Sequence, residues 1–368
     1  MTLDLSLVPD GGIAWADASG PESHIVLSSR IRLARNLQGM PFTLRADAGE
    51  QEVVLEHAVA AARQTRDLAD GTVLRVDGLD RGERQLLHER HLISRELAGL
   101  DQGGAVRPGA ALVLHGDLGL MVNEEDHLRL QSFRSGFALP EAYTAIDRLD
   151  TGLGEHLAFA FHPEFGYLTS CPTNAGTGLR ASVLIHLPGL VLTKEIAKVL
   201  QGLAQVGLTF RGLYGEGSEV VGNFFQLSNQ TTLGKTEEDL LDQLGKIVRQ
   251  VIEYEEEARR VLRRDAPVLI EDKIWRAYGL LRHARLLSFE EAMNLLSGVR
   301  LGVGLNLITD VGVYTLNKLM IFTQPAHLAH HAGRALTDPD LPALRAGFVR
   351  RLLEDEARPR AGGAPEAT

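Results

Sequence analysis

The chain has 368 residues, 44% of them apolar, a formal charge of −10 and a single cysteine, Cys171. That length suits a large domain plus a small one with a substantial core. No apolar run approaches the ~20 residues that cross a bilayer, and the acidic balance speaks against nucleic acid as a partner, because neutralising phosphates needs basic surface. One cysteine excludes an internal disulfide framework and a cysteine-based zinc site. The opening residues carry Asp4 and Asp10 without the basic cluster of a secretory leader, so a soluble cytoplasmic protein is expected.

In chain order, residues 24–34 alternate and predict a strand. Residues 47–70 and 81–99, rich in Ala, Glu, Leu and Arg, predict helices. From 110 to 232 the pattern changes to short runs punctuated by Gly, Pro and Asn: ALVLHG, GLMVNEEDHLRLQ, HLAFAF, GYLTSC, LRASVLIHL, GLTFRGLYG and FFQLSN. Consecutive strands with short connections predict an antiparallel sheet flanked by helices, an α+β fold. A long helix follows at about 236–264, opened by Thr236 with Asp239 three residues on, and Asp265-Ala266-Pro267 ends it. Two further amphipathic stretches, 271–300 and 325–354, predict a small helical domain. The expected division is a catalytic domain over 1–264, a helical domain over 265–354, and a disordered tail over 355–368.

Several familiar signatures are absent. Gly234-Lys235-Thr236 resembles the end of a phosphate-binding loop, but Asn229 stands where that loop needs its first glycine. The tripeptide therefore predicts a turn and helix cap. There is no HRD or DFG sequence, and His88 and His91, three apart in HERH, do not make an HExxH metal pair.

What remains is arginine placement. The chain has 32 arginines against 6 lysines. Codon bias accounts for many, but four polar segments each place arginine on a predicted strand: Ser28-Ser29-Arg30-Ile31-Arg32, Asn123 to Arg129, Thr177 to Arg180, and Arg211 to Glu216. Alternation puts Arg30 and Arg32 opposite Leu27, Ile31 and Leu33. It groups Glu125 and His127 with Arg129, and turns Arg180 and Ser182 away from Leu179 and Val183. One face of the sheet is then apolar and the other carries five arginines. Pairing with nearby acids would explain any one of them; five together fit a polyanion such as a nucleoside triphosphate, which accepts their fork geometry. Glu125 and Glu216 then stand as the acids that hold a cationic substrate beside the phosphates, with salt bridging to the arginines as the plainer alternative. Cys171, before the Gly-rich turn 174–178, fits either a small buried hydrophobe or a reactive thiol.

These strings, SSRIRLARN, VNEEDHLR, SCPTNAGTGLRASV and RGLYGEGSE, resemble the phosphagen (guanidino) kinase family over about residues 24–260. The resemblance implies an antiparallel sheet that binds ATP, with Mg2+ held through phosphates and water. Arg30, Arg32, Arg129, Arg180 and Arg211 would grip the phosphates. Ser28 to Arg32, His91, Arg180-Ala181-Ser182-Val183-Leu184 and Arg211-Gly212-Leu213-Tyr214-Gly215-Glu216 would line the nucleotide site. Glu125 and Glu216 would hold the guanidinium, with Glu125 the more plausible base, and Cys171 would sit beside its nitrogens.

SSRIR arrives by residue 28, leaving no room for the separate N-terminal helical domain of the small-molecule enzymes, and a C-terminal helical region is present instead. Both features, with LARNLQGMPF and QPAHL, resemble the bacterial protein-arginine kinases. That resemblance implies phosphorylation of arginine side chains in proteins, and with it a mark for Clp protease degradation or control of a stress-response repressor. It also implies an activator protein, Clp components and a homodimer as partners. The RDxxRA-like phosphoarginine-docking motif of those kinases is only half kept, Leu341-Pro342 replacing its Arg-Asp before Arg345-Ala346. The alternatives are a kinase for a free guanidino metabolite and an inactive nucleotide-binding regulator.

Overall fold

The computed structural model describes residues 13–101, 104–213, 220–230 and 232–357. The chain divides into two compact units, Met1–Ala258 and Arg259–Thr368.

The first unit is built on an eight-stranded, wholly antiparallel sheet. Its strands are β1 (Val26–Arg35), β2 (Thr72–Arg75), β3 (Ala111–His115), β4 (Leu118–Val122) and β5 (Leu128–Ser135). Beyond a separate two-stranded hairpin, β6 (Phe161–His162) and β7 (Gly166–Tyr167), come β8 (Leu179–His186), β9 (Leu208–Arg211) and β10 (Phe224–Asn229). The order across the large sheet is β2-β3-β4-β5-β1-β8-β10-β9, so β1 lies near its middle. Helices α1 (Ala48–Gln64), α2 (Arg81–Glu89), α3 (Leu139–Gly154), α4 (Pro188–Leu192), α5 (Ile196–Gln205) and α6 (Glu237–Asp265) complete the unit, α6 running on across the division.

The core forms where the apolar side of the sheet meets α1, α3 and α6. Ile31 and Leu33 of β1 join Val54 and Ala58 of α1, Ile146 and Leu149 of α3, and Leu240, Leu244, Val248 and Val251 of α6 in one buried cluster. The last four recur at the three- and four-residue spacing that makes a helix stripe. Emptying Leu244 to Ala would cost about 2–5 kcal/mol. Reciprocal caps start the helices: Asp47 with Glu50 on α1, Asp80 with Glu83 on α2. At α6 the Asp239 N–H donates to Thr236 Oγ1 at 3.1 Å and the Thr236 N–H to Asp239 Oδ2 at 3.3 Å, so Gly234-Lys235-Thr236 is the turn and cap the sequence predicts.

Some expectations need correction. Residues 123–127 are a bend between β4 and β5 rather than continuous strand, so alternation does not place Glu125 or His127. HLAFAF and GYLTSC contribute only the two-residue strands β6 and β7. α3, the main cover of β1 and β5, is not among the predicted helices. Its small, mixed stretch LPEAYTAIDRLDTGLG presents Ala142, Ala145, Ile146, Leu149 and Leu153 to the core, a stripe interrupted by polar residues.

The second unit holds α7 (Pro267–His283), α8 (Phe289–Gly304), α9 (Val313–Phe322), α10 (Pro325–Ala332) and α11 (Leu341–Ala357). The predicted helix 271–300 is two, because Ser288 caps a new start by accepting the Glu291 N–H. The predicted 325–354 is also two, because Gly333 at φ 64° ends α10. Residues 355–357 continue α11, while 358–368 of the expected tail lie outside the described residues. Arg345, the retained arginine of the half-kept motif, is buried and donates to the carbonyls of Thr323 (2.8 Å) and Leu287 (2.9 Å).

Candidate active site

Strand register assembles the arginines. Arg32 lies directly opposite Arg180, Arg30 opposite Ser182, and Arg129 opposite Ala34. Arg211 faces Gln226, which faces Leu184, which faces Ser28. Directly paired residues share a side of an antiparallel sheet, so all five arginines occupy the face away from the core.

Their partners differ. Arg30 donates to Gln131 Oε1 at 2.6 Å and lies over the Phe133 ring, 4.8 Å from its centroid. Arg180 reaches Ser228 Oγ at 3.3 Å. Arg129 is clamped by two acids, Glu124 at 2.6 Å and Glu125 at 3.0 Å. Arg32 has no hydrogen bond or ion pair among the described residues, and its Nε is buried without a partner, as is that of Arg30. Burial, then Arg30, Arg180 and Arg129, push Arg32 well below the usual guanidinium range, with the charge of Glu124 opposing them. Burial and the like charge of Arg129 and Arg180 push Arg30 down to about 9. A guanidinium gives up its proton very reluctantly, so such a field is relieved by an anion. The residues present therefore fit a polyphosphate.

Glu124 is the buried anchor. It is fully enclosed, accepts from Arg129, and accepts the Glu125 backbone N–H at 2.8 Å. Burial works against its charge, but Arg129 and a bond from Ser94 hold it below the usual carboxylate range. Glu125 is more open, its side chain 34% exposed. Burial pushes its carboxyl up, Arg129 opposes, and Glu124 and Asp126 add to the rise. The pKa values of two neighbouring carboxylates are thus driven apart, Glu124 down and Glu125 up.

The bend 123–127 is fixed from behind. Asn123 adopts φ 56°, with its Nδ2 donating to the carbonyls of Gln51 (2.8 Å) and Gly109 (3.1 Å). Gly109 is itself required: at φ 65°, an added Cβ would meet the Gln51 carbonyl at 2.7 Å. His127 Nδ1 accepts the Leu37 N–H at 3.0 Å and its Nε2 donates to the Pro41 carbonyl at 2.8 Å. It is a neutral, buried strut rather than a site residue. Asp126 Oδ1 accepts from Asn36 (2.7 Å) and from the Ser170 N–H (2.6 Å). That last bond ties the loop carrying Cys171 to the bend carrying Glu125. Cys171 is half-buried, with its sulfur 3.0 Å from Thr173 Oγ1.

Next to the arginines is a narrow, open cleft of about 20 Å³. Ser28, Arg30, His91, Ser182, Leu184 and Leu213 line it, all of them expected from the sequence. Trp15, Phe133 and Gln226 line it too and were not. Trp15 packs edge-on to His91 at 5.2 Å and stacks on Phe133 at 5.6 Å, so the wall suits a flat ring. His91 is held at φ 60°, a strained backbone for a residue without Asn or Gly chemistry. Ser29, Ile31, Ala181 and Val183 turn the other way: Ile31, Ala181 and Val183 are in the core, and Ser29 Oγ donates to the Gly136 carbonyl at 2.9 Å. Only their backbone can serve a ligand on the arginine face. Gly212 follows β9 directly, while Tyr214, Gly215 and Glu216 lie outside the described residues.

Comparison with known proteins gives a consistent match. Residues 53–258 fit the family model of the ATP:guanido phosphotransferase C-terminal catalytic domain, and residues 267–363 fit that of the protein-arginine kinase McsB C-terminal domain. The chain is 48% identical over 343 residues to a protein-arginine kinase of Pelotomaculum thermopropionicum, covering 92% of this chain and 94% of the relative. It is 45% identical over 343 residues to one of Brevibacillus brevis, with the same coverage. The chain belongs to the protein-arginine kinase family.

The family's wider fold is visible in solved structures. A lombricine kinase crystal structure matches at TM-score 0.56 and 22% identity over 70% of this chain and 71% of that one. The duplicated taurocyamine kinase of Schistosoma mansoni, solved with transition-state-analogue components, matches at 0.57 and 26% over 73% of this chain and 41% of its own length. Membership of this family implies a kinase that uses ATP.

Proposed function

We propose that this chain transfers the γ-phosphoryl group of ATP to the guanidinium of arginine side chains in proteins. The observation that carries the reading is Arg32, a half-buried cation with no hydrogen bond or ion pair among the described residues and three further arginines around it, on the same side of the sheet as Arg129, which Glu124 and Glu125 clamp. An anion with several charges is the natural complement, and a cationic acceptor is the natural complement of the acids beside it.

Guanidinium has a pKa above ~12 and is a poor nucleophile until a proton is drawn away. Glu125, with its raised carboxyl, takes that proton as the acceptor nitrogen bonds to phosphorus and the bond from phosphorus to the bridging oxygen of ADP breaks. Phosphoarginine and ADP result. Arg30, Arg32, Arg129, Arg180 and Arg211 hold the phosphates and stabilise charge on the transferring group, and alignment supplies much of the rate. Glu216 is the second acid proposed to orient the guanidinium, and Cys171 is the thiol proposed to contact its nitrogens. The Trp15–His91–Phe133 wall receives the base. Bound Mg2+ would neutralise phosphate charge, held through phosphates and water, because both glutamates of the bend are already committed to Arg129.

Substrates on this reading are proteins with exposed arginine, and the mark would serve Clp-dependent degradation or control of a stress-response repressor, with an activator protein as a further partner. A homodimer is supported by the apolar exposed residues Val268, Leu269, Trp275, Leu280 and Leu286 of the second unit. The deciding experiment incubates the chain with MgATP and either an arginine-rich protein or free arginine at matched guanidinium concentration. Mass spectrometry under non-acidic conditions, which preserve the N–P bond, reads the product. Phosphorylation of free arginine with none on protein replaces this reading with a metabolite kinase; no product on either leaves a nucleotide-binding regulator.

A further inference from the structure

A second cleft lies on the opposite side of β1. Arg35 alternates away from Arg30 and Arg32 and faces it from the strand. α3, the end of β1, the β6–β7 hairpin and the first turn of α6 bound it, and its volume is about 570 Å³, within the range of ligand pockets. None of the five arginines of the phosphate face lines it.

Its chemistry is specific. Four aromatic rings wall it, Tyr143, Phe159, Phe161 and Tyr167, and three carboxylates sit among them, Asp147, Asp150 and Glu237. One cation is present, Arg35, and it is already consumed: its Nη2 lies 2.7 Å from Asp150 and its guanidinium carbon 3.5 Å from the centroid of the Tyr167 ring. Asp147 and Glu237 have no hydrogen bond or ion pair among the described residues. The uncompensated negative field is felt by Tyr143, whose phenol is pushed up to about 12 by burial and then by Asp147, Glu237, Glu238 and Asp150. Phe161 stands at the rim, 57% exposed, with its ring edge-on to Tyr167 at 5.3 Å.

Aromatic faces and carboxylates together attract a planar cation. We propose that this cleft is a second binding site for an arginine side chain of a polypeptide, an exosite that holds an arginine-rich protein while another of its arginines is phosphorylated. Arg35 is the internal precedent for the pose: a guanidinium stacked on tyrosine and paired with a carboxylate in the same cleft. A polypeptide is favoured over the free amino acid because nothing in the cleft receives an α-carboxylate. The one cation is bound to Asp150, and the remaining charges would repel it. The exosite role rests on the protein-kinase reading; binding of arginine does not.

The test uses the full chain, as wild type, as D147N/E237Q and as F161A. Asp147 and Phe161 are exposed and Glu237 is half-buried, so folding is preserved, and an unchanged KM for ATP verifies it. With an arginine-rich protein as acceptor, D147N/E237Q is expected to raise KM about ten-fold and F161A about three-fold. KM for a capped single-arginine peptide stays unchanged. Calorimetric titration of wild type with a capped arginine-rich peptide, without nucleotide, gives the independent reading, and D147N/E237Q weakens that binding by a similar factor. Unchanged KM and unchanged binding overturn the site, as does an equal rise in KM for the single-arginine peptide. If wild type forms no phosphoarginine, the kinase reading fails while loss of peptide binding in D147N/E237Q still upholds the cleft.

Discussion

Replacing Arg32 by Met should make the protein more stable and less active at once. Arg32 faces Arg180 across β1 and β8 and is surrounded by Arg30 and Arg129, with no hydrogen bond or ion pair among the described residues and only the more distant charge of Glu124 in its favour. Like charges placed directly opposite on neighbouring strands destabilise by about 0.2–1 kcal/mol per pair. Removing one member relieves the Arg180 pair and eases the diagonal ones, while methionine keeps the volume and apolar stem. A gain of about 1 kcal/mol is expected, which raises Tm of a domain this size by about 2–4 °C. Losing one charge-stabilising group should cost about 10²–10³-fold in phosphotransfer. Differential scanning calorimetry with and without MgATP measures both sides. Wild type should gain more from the nucleotide than the variant, so the two melting curves approach one another as ATP is added. A nucleotide-free Tm that falls by several degrees would mean that Arg32 is held by partners and does not await an anion.

Arg129→Ala and Arg211→Ala should each reduce turnover by about 10²–10³-fold, and near-normal rates in both, with folding intact by circular dichroism, would remove them from the site. Alkylation of Cys171 should proceed in the free protein, slow when ATP is added, and leave no covalent phospho-enzyme to be found by mass spectrometry; an inert thiol indifferent to ATP would make it a packing residue. Stability should decline on acidification. Burial lowers the pKa of His88, His91 and His127, so below about 6.5, the ordinary value, the unfolded chain binds more protons than the folded one. Stability is then full above that pH and lost as pH falls beneath it, which urea titrations at pH 7.5 and 5.5 would read as a lower midpoint at the acid end.

The arginine face was legible because period-two alternation in SSRIR and LRASV survives in the folded strands: Arg30, Arg32 and Arg180 point where the pattern puts them. The bend at residues 123–127 was not, since five consecutive polar residues carry no period, and it took the carbonyls of Gln51 and Gly109 to fix Asn123. Glu124 and Glu125 are indistinguishable in the sequence; their different burial separates the anchor from the proposed base. Trp15, Phe133 and Gln226 come together only through long-range pairing, and nothing local marks them. Helix boundaries in the second unit were missed at Ser288 and Gly333, where a cap and a left-handed residue outweigh continuous amphipathic composition. Tertiary cover explains α3, whose propensity is ordinary.

The position of β1 bears on how the protein is made. It precedes both of its sheet neighbours, β5 and β8, in the chain, the second by roughly 150 residues. At ~5–20 residues per second, the apolar edge of Ile31 and Leu33 would wait roughly 10–30 s on the ribosome before β8 emerges. Pairing of such remote segments is also slow in itself. The first strand of this kinase therefore spends its early life as an unpaired, aggregation-prone edge, a natural client for a nascent-chain chaperone. Truncated products that end before residue 179 would keep that edge permanently open.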